Sequence, residues 1–102
     1  MIRVNLITDT IQKEKIRIEY MLKQYNEILA SLPKGSILER KKNGQVYYYL
    51  KYRENKKVVS KYIGKNTDAI LPLLEKRKHT EAMIKSLENE LRIAEKALEG
   101  IG

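Results

Sequence analysis

Arginine, lysine and tyrosine alternate through one stretch of the chain in a pattern suited to holding a polyanion. Arg40 and Lys42, then Tyr47, Tyr49, Lys51 and Arg53, recur at every second residue. In a β-strand successive side chains point to opposite faces, so residues two apart share a face. Tyrosine rings stack on bases or pack on sugars, and Arg and Lys neutralise phosphates. Lys61 and Lys65 come next and add positive charge. Arg40, Lys42, Tyr47, Tyr49, Lys51, Arg53, Lys61 and Lys65 are therefore the candidate nucleic-acid contacts, with DNA favoured over RNA. The ordinary alternative is that the tyrosines pack against the protein's own helices or a dimer contact. On that view the lysines protect exposed strands from edge-to-edge pairing.

The charge distribution points to the same stretch. The chain has 102 residues and a net charge of +8. Residues 33–65 hold ten cations and two anions, so this segment alone carries an excess equal to the whole imbalance. The flanking segments are close to neutral. A localised basic region is the electrostatic footprint expected for nucleic acid or another polyanion.

Other chemistries find little support. The chain has no cysteine and one histidine, His79. A disulfide framework, a thiolate metal site and a Cys/His zinc site are excluded on that inventory. His79 lies between Lys78 and Thr80 on an expected helix and reads as a surface residue. Gly64-Lys65-Asn66-Thr67 resembles the end of a phosphate loop, but Val59 stands where that motif needs its first glycine. The segment reads instead as strand end, turn and helix cap, although N–H groups at a helix start beside Lys65 suit a phosphate. The helix glutamates suit a solvated face. The expectation is a protein that is not an enzyme and needs no cofactor or metal. The N-terminus lacks a signal-peptide hydrophobic region, and no apolar run reaches a membrane span. A cytoplasmic protein with no membrane partner is expected.

The elements that position the basic tyrosine stretch are dictated by turn chemistry. Asn43-Gly44 tolerates the positive φ angles of a type I′ turn and predicts a hairpin of Ser36–Lys42 with Gln45–Arg53. Lys42 then pairs with Gln45. One face carries Ile37, Val46, Tyr48, Leu50 and Tyr52, and the other carries Leu38, Arg40, Lys42, Tyr47, Tyr49, Lys51 and Arg53. A turn at Asn55-Lys56 starts a third strand, Lys57–Ile63. With two turn residues, Val59, Lys61 and Ile63 join the first face, and Val58, Ser60 and Tyr62 the second. With three, the sets exchange, and the sequence leaves the register open.

Two helices flank this meander. Ile11, Ile18, Met21, Leu22, Tyr25, Ile28, Leu29 and Leu32 form one apolar stripe over 8–32, with Asp9 as N-cap and Gln12 completing a capping box. Pro33 ends it. Over 67–99, Ile70, Leu73, Arg77, Thr80, Ile84, Leu87, Leu91, Ala94, Leu98 and Ile101 step by three and four, as in a heptad seam. Asn66, Thr67 or Asp68 caps this helix, Pro72 sits in its first turn, and Gly100 and Gly102 end it. Ile2, Val4 and Leu6 alternate as in a short edge strand or a coil. The expected fold class is α+β, a single domain over 1–102. It is an antiparallel coiled-coil helix pair with an inserted three-stranded antiparallel β-meander at 35–65. Leu32 would then lie near Ile70, and Ile11 near Leu91. Two helices with one seam bury little surface, so a homodimer is expected, with Ile84, Leu87, Leu91 and Leu98 as oligomerisation residues. A monomer whose sheet folds back on the helices is the alternative.

The run Leu32-Pro33-Lys34-Gly35-Ser36, then Tyr47-Tyr48-Tyr49-Leu50, Tyr52-Arg53 and Lys57-Val58-Val59-Ser60-Lys61-Tyr62-Ile63-Gly64-Lys65, resembles an uncharacterised family of small prokaryotic proteins. That family places such a β module before a charged helix. The module is also similar to N-terminal β modules of some insertion-sequence transposases, and more loosely to the three-stranded arm-binding domains of tyrosine integrases. The resemblance covers about a third of the chain. Asn55-Lys56 stands where a glycine pair is usual. With no acidic catalytic core present, the resemblance implies a DNA-contacting appendage, associated with a mobile element or phage. Three functions are expected from these observations. The first is nucleic-acid binding by the sheet. The second is a protein–protein adaptor or inhibitor using the seam and the basic sheet, without direct nucleic-acid binding. The third is a structural oligomerisation module, whose mark would be burial of Tyr47, Tyr49 and Tyr62 together.

Overall fold

The computed structural model describes residues 6–101. Within them the chain runs α1 (Leu6–Ser31), β1 (Ser36–Lys42), β2 (Gln45–Glu54), β3 (Lys57–Gly64) and α2 (Leu71–Ile101). The three strands form one antiparallel sheet in the order β1-β2-β3. Two helices and a three-stranded antiparallel sheet make this an α+β protein. Close contacts group the chain into two units. One holds α1 and α2 from Thr80 onward; the other runs from Leu32 to His79 and holds the sheet with the first turns of α2.

Apart from Ile28, which is exposed, the apolar stripe of α1 is the side that the structure covers. Ile18 is buried, and Ile11, Met21, Leu22, Tyr25 and Leu29 are partly buried at three- and four-residue spacing. The helix begins earlier than its capping signal suggests. Ile2 and Val4 lie outside the described residues, but Leu6 and Ile7 are already helical. Asp9 is therefore not the N-cap. It sits in the first turn, where its charge favours the positive end of the helix dipole. The ion pair seen on this helix is Arg17 with Glu14, Nη2 to Oε2 at 2.7 Å. That hydrogen bond, then the charge of Glu14, raises the pKa of Arg17, and Glu90 of α2 adds to the effect.

At its C-terminal end α1 stops at Ser31, ahead of Pro33. Arg77 Nη1 then donates to the Leu32 carbonyl oxygen at 3.0 Å. This explains a cation on the seam of α2. Arg77 is partly buried because it satisfies a carbonyl that the terminated helix leaves without a partner. Leu32 thus lies within hydrogen-bonding reach of Arg77.

Asn66 Oδ1 accepts from the Asp68 N–H at 3.2 Å, and Leu71 N donates to Thr67 O at 2.9 Å. This turn delivers the chain into α2, whose regular helix starts at Leu71 with Pro72 in its first turn, where the missing N–H costs nothing. On the seam, Ile84 and Leu87 are buried, and Leu91, Ala94 and Leu98 are partly buried. Ile84 and Leu87, named for oligomerisation, therefore already pack inside the chain. Thr80 is 3% exposed and belongs to that buried row. The seam enters through Leu74, not Leu73: Leu73 is exposed and Leu74 partly buried. Gly100 does not end the helix, which continues to Ile101. Gly102 lies outside the described residues.

Within the helical unit, Ile11 and Ile18 of α1 share an apolar groove with Ile93, Ala94 and Ala97 of α2. No helix among the described residues is long and apolar enough to cross a membrane.

Candidate nucleic-acid interface

Both turns of the meander are two residues long. Asn43 and Gly44 have φ of 53° and 77°, as a type I′ turn requires. Asn55 and Lys56 have φ of 49° and 68°, so the second turn takes the same form without a glycine. Lys42 pairs with Gln45, and Glu54 pairs with Lys57. This closes the register that the sequence left open. Tyr52 pairs with Val59, Leu50 with Lys61, Lys51 with Ser60 and Arg53 with Val58. Tyr49 meets Tyr62 in the same register, and a bulge between Tyr48 and Tyr49 then shifts the end of the ladder so that Tyr48 meets Gly64. Gly64 has φ of 144°, a backbone geometry open to glycine.

The two faces differ in burial. Ile37, Val46, Tyr48, Tyr52, Val59 and Ile63 on the first face are all partly buried, and Leu50 is 6% exposed. This is the core side. On the second face, Arg40, Lys42, Lys51, Arg53, Val58 and Ser60 are exposed, and Tyr62 is 52% exposed. Tyr47 and Tyr49 are partly buried. Tyr47, Tyr49 and Tyr62 are thus not buried together.

The register also sorts the charges. Glu39 pairs with Tyr48, and Glu54 with Lys57, so both carboxylates of residues 33–65 lie on the Leu50 face. The second face holds Arg40, Lys42, Lys51 and Arg53 and no acidic residue. Four like charges on one small face repel one another and attract a polyanion.

The tyrosines form a connected cluster at the centre of this face. Tyr62 lies 5.4 Å from Tyr49 and 6.3 Å from Tyr47 between ring centroids, with rings inclined at 60° and 48°. Arg40 places its guanidinium carbon 5.6 Å from the Tyr49 ring centroid, within cation–π range. The Tyr47 hydroxyl donates to Gln45 Oε1 at 3.2 Å. A shallow, open depression lies over Lys42, Asn43, Tyr47, Tyr49 and Tyr62. Gly35 fixes the approach to β1: its φ is 129°, and a Cβ there would collide with the Lys51 carbonyl oxygen and the Tyr52 Cβ.

Of the eight candidate contacts, six share the exposed face: Arg40, Lys42, Tyr47, Tyr49, Lys51 and Arg53. Lys61 does not. Opposite Leu50, it belongs to the core face, because a two-residue turn fixes the parity of β3. Lys65 is exposed and lies beyond Gly64, outside the strand ladder. Tyr62 is the residue absent from that set which the structure places at its centre. Reading Asn55-Lys56 as a two-residue turn is the signal that finds it.

The fold and this face define a small α+β protein with a solvent-exposed, acid-free, tyrosine-centred sheet surface. The chain belongs to the family DUF6788, a domain of unknown function, whose profile matches residues 11–72, more than half of the chain. No curated protein matches the chain, and no solved structure does.

Proposed function

We propose that this protein binds nucleic acid, DNA in the first place, through the second face of its sheet. The observation that carries the reading is the segregation of charge. Arg40, Lys42, Lys51 and Arg53 surround three tyrosines on the exposed face, while both nearby carboxylates lie on the other. A solubility role alone would not require that sorting. Phosphates supply the affinity on this reading, and counterion release makes it salt-dependent. An association with a mobile element or phage is part of the proposal, resting on the resemblance of the β module to transposase N-terminal modules.

On the same reading the helices form a homodimer. Ile16 and Tyr20 stand four apart on α1 and are each 61% exposed, so apolar surface remains uncovered within one chain. Ile84 and Leu87 do not serve that contact, being buried already.

Gel retardation at low and moderate salt tests the central reading. Wild-type protein is expected to retard DNA at low salt and to lose much of that binding at moderate salt. Lys51→Glu/Arg53→Glu is expected to lose it at both. Equal retardation by the two proteins would overturn the reading.

A further inference from the structure

We infer that the ligand of this face is a single-stranded nucleic acid whose unpaired bases stack on the Tyr47–Tyr49–Tyr62 cluster. This rests on the nucleic-acid reading above and narrows it. A sheet that reads a duplex groove needs hydrogen-bonding side chains at its centre, aimed at base edges, with cations reaching the phosphates on either side. Here the centre is aromatic. Tyr62 is half exposed, and its neighbours incline to it at 60° and 48°, so the three rings present faces and edges in different directions. The Tyr47 hydroxyl is engaged by Gln45 within the strand. Base edges in a duplex offer such rings little, whereas an unpaired base offers its whole π-face.

The cations are arranged to complete this. Arg40 lies against Tyr49, Lys42 lines the depression over the three rings, and Lys51 and Arg53 extend the charge along β2. A backbone tracking β2 meets cations at both ends of the tyrosine cluster. Stacking with backbone neutralisation tolerates any sequence, so weak discrimination among bases is expected.

The test is fluorescence anisotropy with a labelled unstructured deoxyoligonucleotide, the ribo-oligonucleotide of the same sequence, and the corresponding duplex, at one low salt concentration. Tight binding of a single strand, with the duplex at least about tenfold weaker, is the expected result. Tyr62→Ala weakens single-strand binding about tenfold, and Tyr62→Phe, which keeps the ring, retains it. Thermal melting confirms that these exposed-site variants stay folded. Comparing the deoxy and ribo arms assigns the natural strand. Duplex binding at least as tight as single-strand binding, or a Tyr62→Ala variant with unchanged affinity, overturns the stacking inference and leaves the polyanion reading standing. Binding of none of the three probes overturns both.

Discussion

Tyr49 and Tyr62 face each other across β2 and β3 with ring centroids 5.4 Å apart. The pairing depends on a feature some distance away. A two-residue turn at Asn55-Lys56 sets the parity of β3, and the unbroken register from Glu54–Lys57 onward brings Tyr62 level with Tyr49, just before the bulge that moves Tyr48 to Gly64. One additional turn residue would send Tyr62 to the core face and bring Lys61 to the tyrosines. The pair also ties the site to sheet stability, since cross-strand aromatic contacts contribute about 0.5–1.5 kcal/mol beyond area burial. In a urea-unfolding double-mutant cycle of Tyr49→Ala and Tyr62→Ala, a coupling energy of that size is expected. Strict additivity would show that the rings do not interact.

The face assignment separates two lysines that are both exposed. Lys51→Glu places a carboxylate beside Arg53 on the tyrosine face, while Lys61→Glu places it opposite Leu50 on the other. Lys51→Glu is expected to weaken nucleic-acid binding roughly tenfold more than Lys61→Glu, measured by anisotropy in one low-salt buffer. Equal losses would mean that net charge, not this face, governs binding.

Lys56 holds φ of 68° in a turn where glycine would be unstrained. Lys56→Gly is expected to stabilise the protein by about 1 kcal/mol, read as a higher midpoint in chemical unfolding. A lower midpoint would show that the lysine side chain contributes more than its backbone geometry costs.

Gly35 has the opposite character. Gly35→Ala combines positive φ with a collision against the Lys51 carbonyl and Tyr52. A loss of about 2 kcal/mol or more is expected in the same unfolding experiment. A loss below about 0.5 kcal/mol would show that β1 and β2 separate to accept the methyl group without consequence.

Arg77→Met removes the donor to the Leu32 carbonyl while keeping much of the side-chain packing. Leaving that part-buried oxygen without its partner is expected to cost about 1–3 kcal/mol. An unchanged stability would mean that water replaces the guanidinium at no cost.

Much of this architecture is written locally in the chain. Asn43-Gly44 fixes the first hairpin because few residue pairs accept positive φ twice in succession, and the alternation through β2 then sorts its side chains by face. Pro33 and the apolar stripe of α1 are equally legible. The register of β3 is not, because Asn55-Lys56 lacks the glycine that would announce a two-residue turn. For that one reason the sequence places Lys61 among the contacts and omits Tyr62. Asp9 misleads as a cap because a side chain that suits the N-cap also suits the first turn, where the dipole favours it. Gly100 misleads because a glycine accepts helical φ as readily as left-handed φ, so it permits a helix end without imposing one. The burial of Ile84 and Leu87 is not readable from the seam, since heptad spacing is the same whether the partner helix lies in one chain or two.

The most direct measurement is the salt dependence of nucleic-acid affinity, taken by anisotropy over a range of salt concentrations for the wild type and for Lys51→Glu/Arg53→Glu. With four cations on the exposed face, log K is expected to fall against log salt with a slope of about −3. The variant should bind more weakly throughout and with a shallower slope. A wild type with no measurable affinity at low salt, or a variant with the same affinity and slope as the wild type, would contradict the assignment of nucleic-acid binding to this face.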